Sequence, residues 1–492
     1  MSRSRLSAFD ASFLTVETPN AHMHVGFVAT FRAPDGAAPP SFAELREHIG
    51  SRLARAPRYR QKLARVPLGV HTAEWVDDES FTIDRHVYRA SGPLGDLVDE
   101  VMSVPLRRDR PLWEMWLCED AEREWFAIVG KVHHCMIDGT AALELTALLL
   151  DATPEPAACE ADAWHAAPAP RPERLLARGV RDLVGDHLGL VHGSLRAATS
   201  PTRAARQTLT GALRATRAVG HSLRAAPDTL LNRPLSPHRS LAWTQRPLAD
   251  LQLVKRTFGM TINDVLLAGV AGGMRTYSLR RREDPVALKA MVPVNVRGSS
   301  EQQQLVGNQI SFVFVELPCD EPQPLGRLYN VRSAMSQRKR DGAPEGADLL
   351  FKAAARTPTG VQRAISRLVA SPRTFNLVIS NVPGPRAPLF MLGCPLQSIY
   401  PVVPLTDHHA VSVGMTTVRD QACFGVYADR QALPDAHVLA RDIDNALTEL
   451  LACVDPSVRS GDFLKPLQIT ASRLAPLAPL AMEDASVAEG SA

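Results

Sequence analysis

No uninterrupted apolar run in this 492-residue chain approaches the roughly 18 residues that cross a bilayer. Any membrane contact is therefore expected to be peripheral. No apolar segment follows Met1-Ser2-Arg3-Ser4-Arg5, so no signal peptide is expected. The seven cysteines are odd in number, scattered, and never spaced as CxxC. That pattern excludes a disulfide framework and a zinc ribbon, and it predicts reduced thiols in a cytoplasmic protein. A one-sided charge is missing too. The formal net charge is only +3, which offers no nucleic-acid footprint. No internal repeat is found. What is present is 45% hydrophobic and 22% charged residues, the balance of a folded soluble protein. The length exceeds one ordinary core and predicts two domains.

The most informative stretch is Lys131-Val132-His133-His134-Cys135-Met136-Ile137-Asp138-Gly139. Trp125 to Val132, rich in β-branched and aromatic residues, predicts a buried strand leading into it. Asp138-Gly139 is a turn signal, and Thr140 to Leu150 predicts a helix. Two histidines thus sit at a strand end, where a rigid sheet fixes a side chain and leaves its tip open. Adjacent strand residues face opposite ways, so only one histidine can face a given cavity. His134 shares its face with Val132, Gly130 and Ile128. A structural pair, a metal site and general-base catalysis all use such histidines. The metal reading lacks a helical i, i+4 His pair and any Cys or Glu cluster. The strand–HHxxxDG–helix setting favours the general base, with Asp138 holding the loop.

Along the chain, helices and strands alternate, which predicts α/β or α+β layering. Phe9 to Leu14 is short and apolar around one acid. Strands are expected at His24–Phe31 and Phe81–Tyr88, and a helix at Ser41–Arg55 with Ser41 as N-cap and Glu44 three residues on. From Pro154 to Pro237 the composition turns to Ala, Pro and Arg, with twelve arginines against four acids between Arg171 and Arg239. Within it, Leu176, Val180, Leu183, Val184, Leu188, Val191 and Leu195 form an apolar helical stripe beside Arg174, Arg178 and Arg181. Such a helix either docks on its own protein or lies on a lipid surface. A second folded region begins near Leu241. Thr261-Ile262-Asn263-Asp264 has capping-box form ahead of a helix from Val265 to Tyr277. Strands are expected at Ala287–Val296, Gln309–Leu317, Phe375–Ser380, Val411–Thr416 and Ala422–Tyr427, and helices at Pro358–Val369 and Asp435–Leu451. The chain after Leu464 reads as a poorly ordered tail.

These residues together resemble the bacterial wax ester synthase/diacylglycerol acyltransferase family. Leu6 to Asp10, Phe13-Leu14 and Met23-His24-Val25-Gly26 are similar to its opening. Pro111-Leu112-Trp113 matches its PLW motif, and His133-His134 with Asp138-Gly139 its HHxxxDG motif. Leu231-Asn232, Ser236-Pro237 and Arg239 resemble the approach to its second domain. Asn263-Asp264 is its ND motif and Asn381-Val382-Pro383-Gly384-Pro385 its NVPGP motif. HHxxxDG alone also occurs in condensation domains and other CoA-dependent acyltransferases, whereas the set in this order is specific. One departure is Thr416-Thr417, where the family often has Ser-Tyr. Asp407-His408-His409 mimics the motif but lacks the following Asp-Gly.

The resemblance implies an α/β fold of two chloramphenicol-acetyltransferase-like domains, 1–155 and 238–464, joined by a helical crossover, 156–237, with 465–492 as tail. It implies a tunnel between them, with Pro111, Leu112, Trp113, Ser380, Asn381, Pro383 and Gly384 along it. It implies no cofactor and no metal. Long-chain acyl-CoA is then the donor substrate, and diacylglycerol or a fatty alcohol the acceptor, at a membrane or lipid-droplet surface on the cytoplasmic side. His134 would be the general base, supported by His133. Asp138 and Gly139 would hold the loop, with Asp138 paired to Arg297. Asn263 and Asp264 would fix the start of a helix lining the tunnel. Two other functions fit parts of the pattern: a condensation-type enzyme using a carrier-protein thioester, and a non-catalytic lipid-droplet surface protein.

Overall fold

The computed structural model of the protein describes residues 5–119, 124–137, 148–156, 162, 164–198, 225–295, 310–340 and 359–454. Its first sheet is built on β1 (His24–Arg32) and β6 (Trp125–His133), paired antiparallel along their length from His24↔His133 to Arg32↔Trp125. β6 is buried on both faces, as its continuous apolar run predicts. β5 (Trp113–Glu119) flanks β6, and β4 (Val87–Ala90) closes that edge parallel to β5. β2 (Gln61–Ala64) and β3 (Glu74–Asp77) form a separate hairpin. The helices α1 (Ala8–Val16), α2 (Phe42–Arg52) and α3 (Leu94–Ser103) belong to this half. α2 starts in the predicted capping box. Ser41 Oγ accepts the Glu44 N–H, and Glu44 Oε2 accepts the Ser41 N–H at 2.8 Å. The strand expected at Phe81–Tyr88 is shorter. Ile83–Arg85 is a 3₁₀ turn, and only Val87–Ala90 pairs, because the Asp78 side chain and carbonyl take the N–H groups of Ser80 and Phe81.

The second sheet runs β7 (Arg239–Pro247), β14 (Gln421–Asp429), β13 (Val411–Val418), β10 (Leu377–Val382), β8 (Leu288–Asn295) and β9 (Ile310–Leu317). Its helices are α5 (Leu248–Phe258), α6 (Ile262–Arg280), α7 (Pro324–Arg340), α8 (Thr359–Val369) and α9 (Ala436–Ala452). β10 continues through Asn381 and Val382, which pair with Met415 and Thr416. It ends at Pro383, which has no N–H to donate.

The long helix α4 (Pro172–Ala198) joins the halves in sequence. Leu175 is buried, and Gly179 lies so close to Val66 that a Cβ there would stand 2.8 Å from its Cγ1. Arg178 pairs with Glu74 at 3.4 Å and Asp182 with Arg5 at 3.0 Å. The docked line is therefore Leu175, Gly179 and Asp182, one residue off the expected stripe, and Val180 and Val184 are exposed. The glycine explains the offset, since it brings the backbone itself onto the domain. Among the described residues, no helix is long and apolar enough to cross a membrane.

The two sheets are not independent. β12 (Cys394–Val402) leaves the second half, pairs with β1, and carries β11 (Phe390–Met391) at the edge of the first sheet. β12 also packs on β13 and β14. A Cβ at Gly425 would lie 2.1 Å from the Pro401 carbonyl oxygen, so the approach needs glycine. A second seam joins α3 to β7. The buried Arg239 donates to Asp429 at 3.0 Å while its own N–H donates to Ser103 Oγ at 2.9 Å. Gly425→Ala should lower the melting temperature by the equivalent of about 1–3 kcal/mol of overpacking. The clash is with backbone and cannot be relieved by a rotamer. An unchanged melting curve would show that β12 can stand off β14 freely.

Candidate active site

The two histidines diverge where β6 ends. The His133 N–H donates to Leu112 O at 2.9 Å, and the His134 N–H donates to Met23 O at 2.8 Å, so the strand is held on both sides. The His133 ring is fully buried. Its Nδ1 accepts the Cys135 N–H at 3.1 Å, which puts the ring proton on Nε2, 2.9 Å from Glu17 Oε1. Glu17 also pairs with Arg108 and accepts the Met23 N–H. Burial opposes the charge on Glu17. The His133 hydrogen bond and the neighbouring positive groups outweigh it and hold the carboxyl below its ordinary range. Burial lowers the His133 pKa, with Glu17 pulling the other way.

His134 opens a 3₁₀ turn, His134–Met136, and is turned to the other side. Its ring stacks on Phe13 with centroids 3.7 Å apart and planes 15° apart. It borders a cavity of about 360 Å³ between the two sheets. Alternate residues of β1 (Val25, Phe27, Ala29, Phe31) and of β6 (Ile128, Val132) form one wall, and Ile379's neighbours Val378 and Ser380 with Val382 and Thr416 form the opposite one. Among the described lining residues, His134 is the single titratable side chain. Loss of water around the ring, partly offset by its own backbone, lowers its pKa to about 4. That is below the near-neutral value expected of such a base. His134 is therefore uncharged at neutral pH, and its Nδ1 is buried with no hydrogen-bond partner among the described residues. Cys135 lies in a separate small core with Leu6, Trp75, Leu106 and Leu112. Burial drives its thiol pKa far up, which excludes a thiolate nucleophile.

Of the other expected site residues, Ser380, Pro383 and Gly384 line the cavity and Asn381 does not. The Gly384 N–H donates to Thr417 Oγ1 at 3.1 Å, and a Cβ on Gly384 would collide with the Thr417 carbonyl. The departure Thr416-Thr417 thus contributes one lining residue and one anchor for the NVPGP turn. Pro111, Leu112 and Trp113 lie behind the histidines, away from the cavity. The Trp113 indole donates to Tyr59 O at 2.7 Å and stacks on His86 at 4.6 Å, while Leu112 O takes the His133 N–H. Asp264 caps α6 through Thr261 and pairs with Arg332 at 3.2 Å. Neither Asp264 nor Asn263 borders the cavity, and nor does the rest of α6, which packs on α7 and α9. This cavity is therefore not lined by the helix that Asn263 and Asp264 begin. Asp138, Gly139, Arg297 and most of the helix expected at Thr140–Leu150 lie outside the described residues. His409 is buried, stacked on Phe375 at 3.8 Å, and not on the cavity wall.

Two residues of the site escape sequence reasoning: Phe13, which shields His134, and Glu17, which fixes His133. Both ride on α1. The local signal was Ser7 followed three residues later by Asp10, whose N–H the Ser7 side chain caps at 3.0 Å.

Residues 6–266 match the wax ester synthase/diacylglycerol acyltransferase catalytic domain, and residues 306–451 match the WS/DGAT C-terminal domain. A Mycobacterium tuberculosis protein named as a diacylglycerol O-acyltransferase is 32% identical over 470 residues, 92% of this chain and 91% of its own. A second one from that organism is 32% identical over 464 residues, 91% of this chain and 96% of its own. The solved wax ester synthase/diacylglycerol acyltransferase from Marinobacter aquaeolei VT8 superposes with a TM-score of 0.65 at 25% identity, over 92% of this chain and 99% of that one. The first condensation domain of the CDA synthetase shares the fold at a TM-score of 0.57 and 15% identity, over 93% of this chain and 97% of that one. With both of its halves matched and its histidine strand facing the cavity between them, the chain belongs to the wax ester synthase/diacylglycerol acyltransferase family and is an acyltransferase of that type.

Proposed function

We propose that the protein transfers a long-chain acyl group from acyl-CoA to the hydroxyl of a lipid alcohol, with His134 as general base. Diacylglycerol would give triacylglycerol, and a long-chain alcohol a wax ester. The observation that carries this reading is His134 itself: among the described residues, the one titratable side chain on the wall of a mostly apolar cavity, neutral and with no partner for its Nδ1. A buried unpaired polar atom costs about 1–3 kcal/mol. At a site of this kind, a substrate hydroxyl is the natural group to offset that cost. The apolar walls suit acyl and alkyl chains.

In this scheme the imidazole accepts the hydroxyl proton as the oxygen attacks the thioester carbonyl. The C–S bond then breaks, and the imidazolium returns the proton to the departing thiolate. Ester and free CoA are the products, and the base is regenerated. The low pKa keeps the base unprotonated at rest and makes its conjugate acid quick to release the proton. His133, locked by Glu17 and the Cys135 N–H, serves to set the direction of the turn. Asp138 is proposed to anchor the loop by pairing with Arg297, an arrangement suited to a two-pronged guanidinium contact.

Purified protein given palmitoyl-CoA with hexadecanol and dioleoylglycerol in parallel should release CoA thiol and form one or both esters. Absence of both, with transfer from a carrier-protein thioester instead, would move the reading to a condensation-type enzyme. His134→Ala should lower turnover by about 10²–10⁴-fold with the melting temperature held, as loss of a general base does. Near-normal turnover would remove His134 from the chemistry.

The pH profile gives a separate test. His134 must be uncharged to act, so kcat/KM should fall as pH drops through about 4. Phe13→Ala lets water reach the ring, so that acid limb should move up toward the ordinary histidine value of about 6.5. An unmoved limb would mean that a different group sets it.

Glu17→Ala should lower kcat and leave KM for acyl-CoA little changed, because it frees His133 without touching the cavity. Glu17→Gln, which can still accept the Nε2–H, should restore much of the loss. Equal defects in the two variants would show that the carboxylate charge matters rather than the hydrogen bond.

A further inference from the structure

The wall of the cavity is one helix thick where α1 meets α8. These helices lie against each other, and both present residues to the cavity: Phe9 and Phe13 from α1, Ser366 and Val369 from α8. α1 has no fully buried residue, and Ser366 is the one fully buried position among the described side chains of α8. The reverse of α8 faces outward. At about 100° per residue, Val361, Ala364 and Leu368 fall on one side of that outer surface and Arg363 and Arg367 on the other. All five are exposed, and Leu368 is 71% exposed. The helix TGVQRAISRLV carries no acidic residue, and among the described residues neither arginine has an ion-pair or hydrogen-bond partner. By contrast, Arg178 and Asp182 of α4 are tied to Glu74 and Arg5.

We propose that the outer face of α8 docks on an anionic lipid surface, and that the acceptor lipid enters the cavity from that surface between α1 and α8. Unpaired arginines beside exposed leucine and valine match an interface where headgroups are negative and acyl chains lie just beneath. A lipid alcohol leaving a bilayer would otherwise cross water. A docked α8 lets it pass from one apolar medium to another, since the helix that touches lipid is also the cavity wall. The proposal rests on the acyl-transfer reading for its purpose, but not for the binding it asserts.

The test uses the full chain and flotation with vesicles of phosphatidylcholine, alone or mixed with phosphatidylglycerol. The wild type should float with the anionic vesicles and less so as salt is added. R363Q/R367Q should weaken partitioning by about tenfold or more, since each arginine near the surface contributes roughly a fivefold factor. Leu368→Gln should weaken it further. R174Q/R181Q, on α4, should float like wild type. A wild type that ignores anionic vesicles, unchanged flotation of the α8 variants, or loss confined to the α4 variant would overturn the proposal. The α8 side chains exchanged do not line the cavity, so turnover with a short alcohol dissolved in buffer should be unchanged, while turnover with diacylglycerol embedded in vesicles should fall in step with flotation. Equal losses with both acceptors would overturn the proposed route of entry. Wild-type protein that floats but transfers no acyl group to either acceptor would refute the acyl-transfer reading and leave the docking intact.

Discussion

Both edges of β1 are occupied, by β6 on one side and β12 on the other, and the arrangement of the site follows from that single strand. β6 brings the histidines from the first half. β12 brings Ile399 and Pro401 from the second. Between them, the alternate residues Val25, Phe27, Ala29 and Phe31 of β1 make a continuous apolar floor. Because side chains on a strand alternate with period two, fixing β1 fixes which face of each neighbour turns inward. The close fit is visible at Gly130, opposite Phe27 in register: a Cβ there would lie 2.2 Å from the Phe27 ring. Phe27 can lie across β6 only because that position is glycine.

The same alternation separates the two histidines into different electrostatic settings. His133 faces a polar cluster in which Glu17, itself paired with Arg108, and a backbone N–H satisfy its ring. His134 faces a mostly apolar cavity and is stacked on Phe13, with nothing among the described residues bonded to its Nδ1. One ring is constrained in tautomer and orientation, and the other is held by packing alone. Neighbours in sequence are thus given unlike tasks by a geometric rule rather than by their chemistry. Lys131 completes the pattern on the His133 side. Its buried ammonium donates to Val101 O and Val104 O and pairs with Glu114 at 3.3 Å, tying β6 to the end of α3.

Local features were legible in the sequence where a short-range signal decides the structure. Ser41/Glu44 and Thr261/Asp264 both form the capping boxes their spacing predicts, and the inward face of Ile128, Val132 and His134 follows from counting by twos. What escaped was long-range. Glu17 is a lone acid 116 residues from His133, and nothing near it signals that pairing. β12 lies beyond the second sheet's first strands in sequence, yet it joins the first sheet. Pairing partners of that kind are set by tertiary contacts such as Gly425 against Pro401, which leave no periodic trace. The docked face of α4 differs by one residue from the apolar stripe for a related reason. A hydrophobic stripe marks where burial is favourable, but a glycine and two ion pairs chose the line of contact.

The cavity also bears on how a low pKa would suit His134 to the proposed role of base. In water, a histidine near neutrality compromises between holding and releasing a proton. Here the surroundings disfavour the imidazolium, so the ring rests neutral and charge appears only while the reaction is under way. In the proposed transfer that charge has a partner at each moment. The negative oxygen of the tetrahedral adduct forms as the ring becomes positive, and the thiolate takes the proton as the adduct collapses. Opposite charges generated close together in a medium of low dielectric attract strongly, whereas either one alone would be costly there. Desolvation therefore opposes idle protonation of His134 more than it opposes the coupled proton and acyl transfer. In the proposed transfer that difference requires that water be kept out, which would make Phe13 and the α1–α8 wall part of the chemistry as well as part of the enclosure.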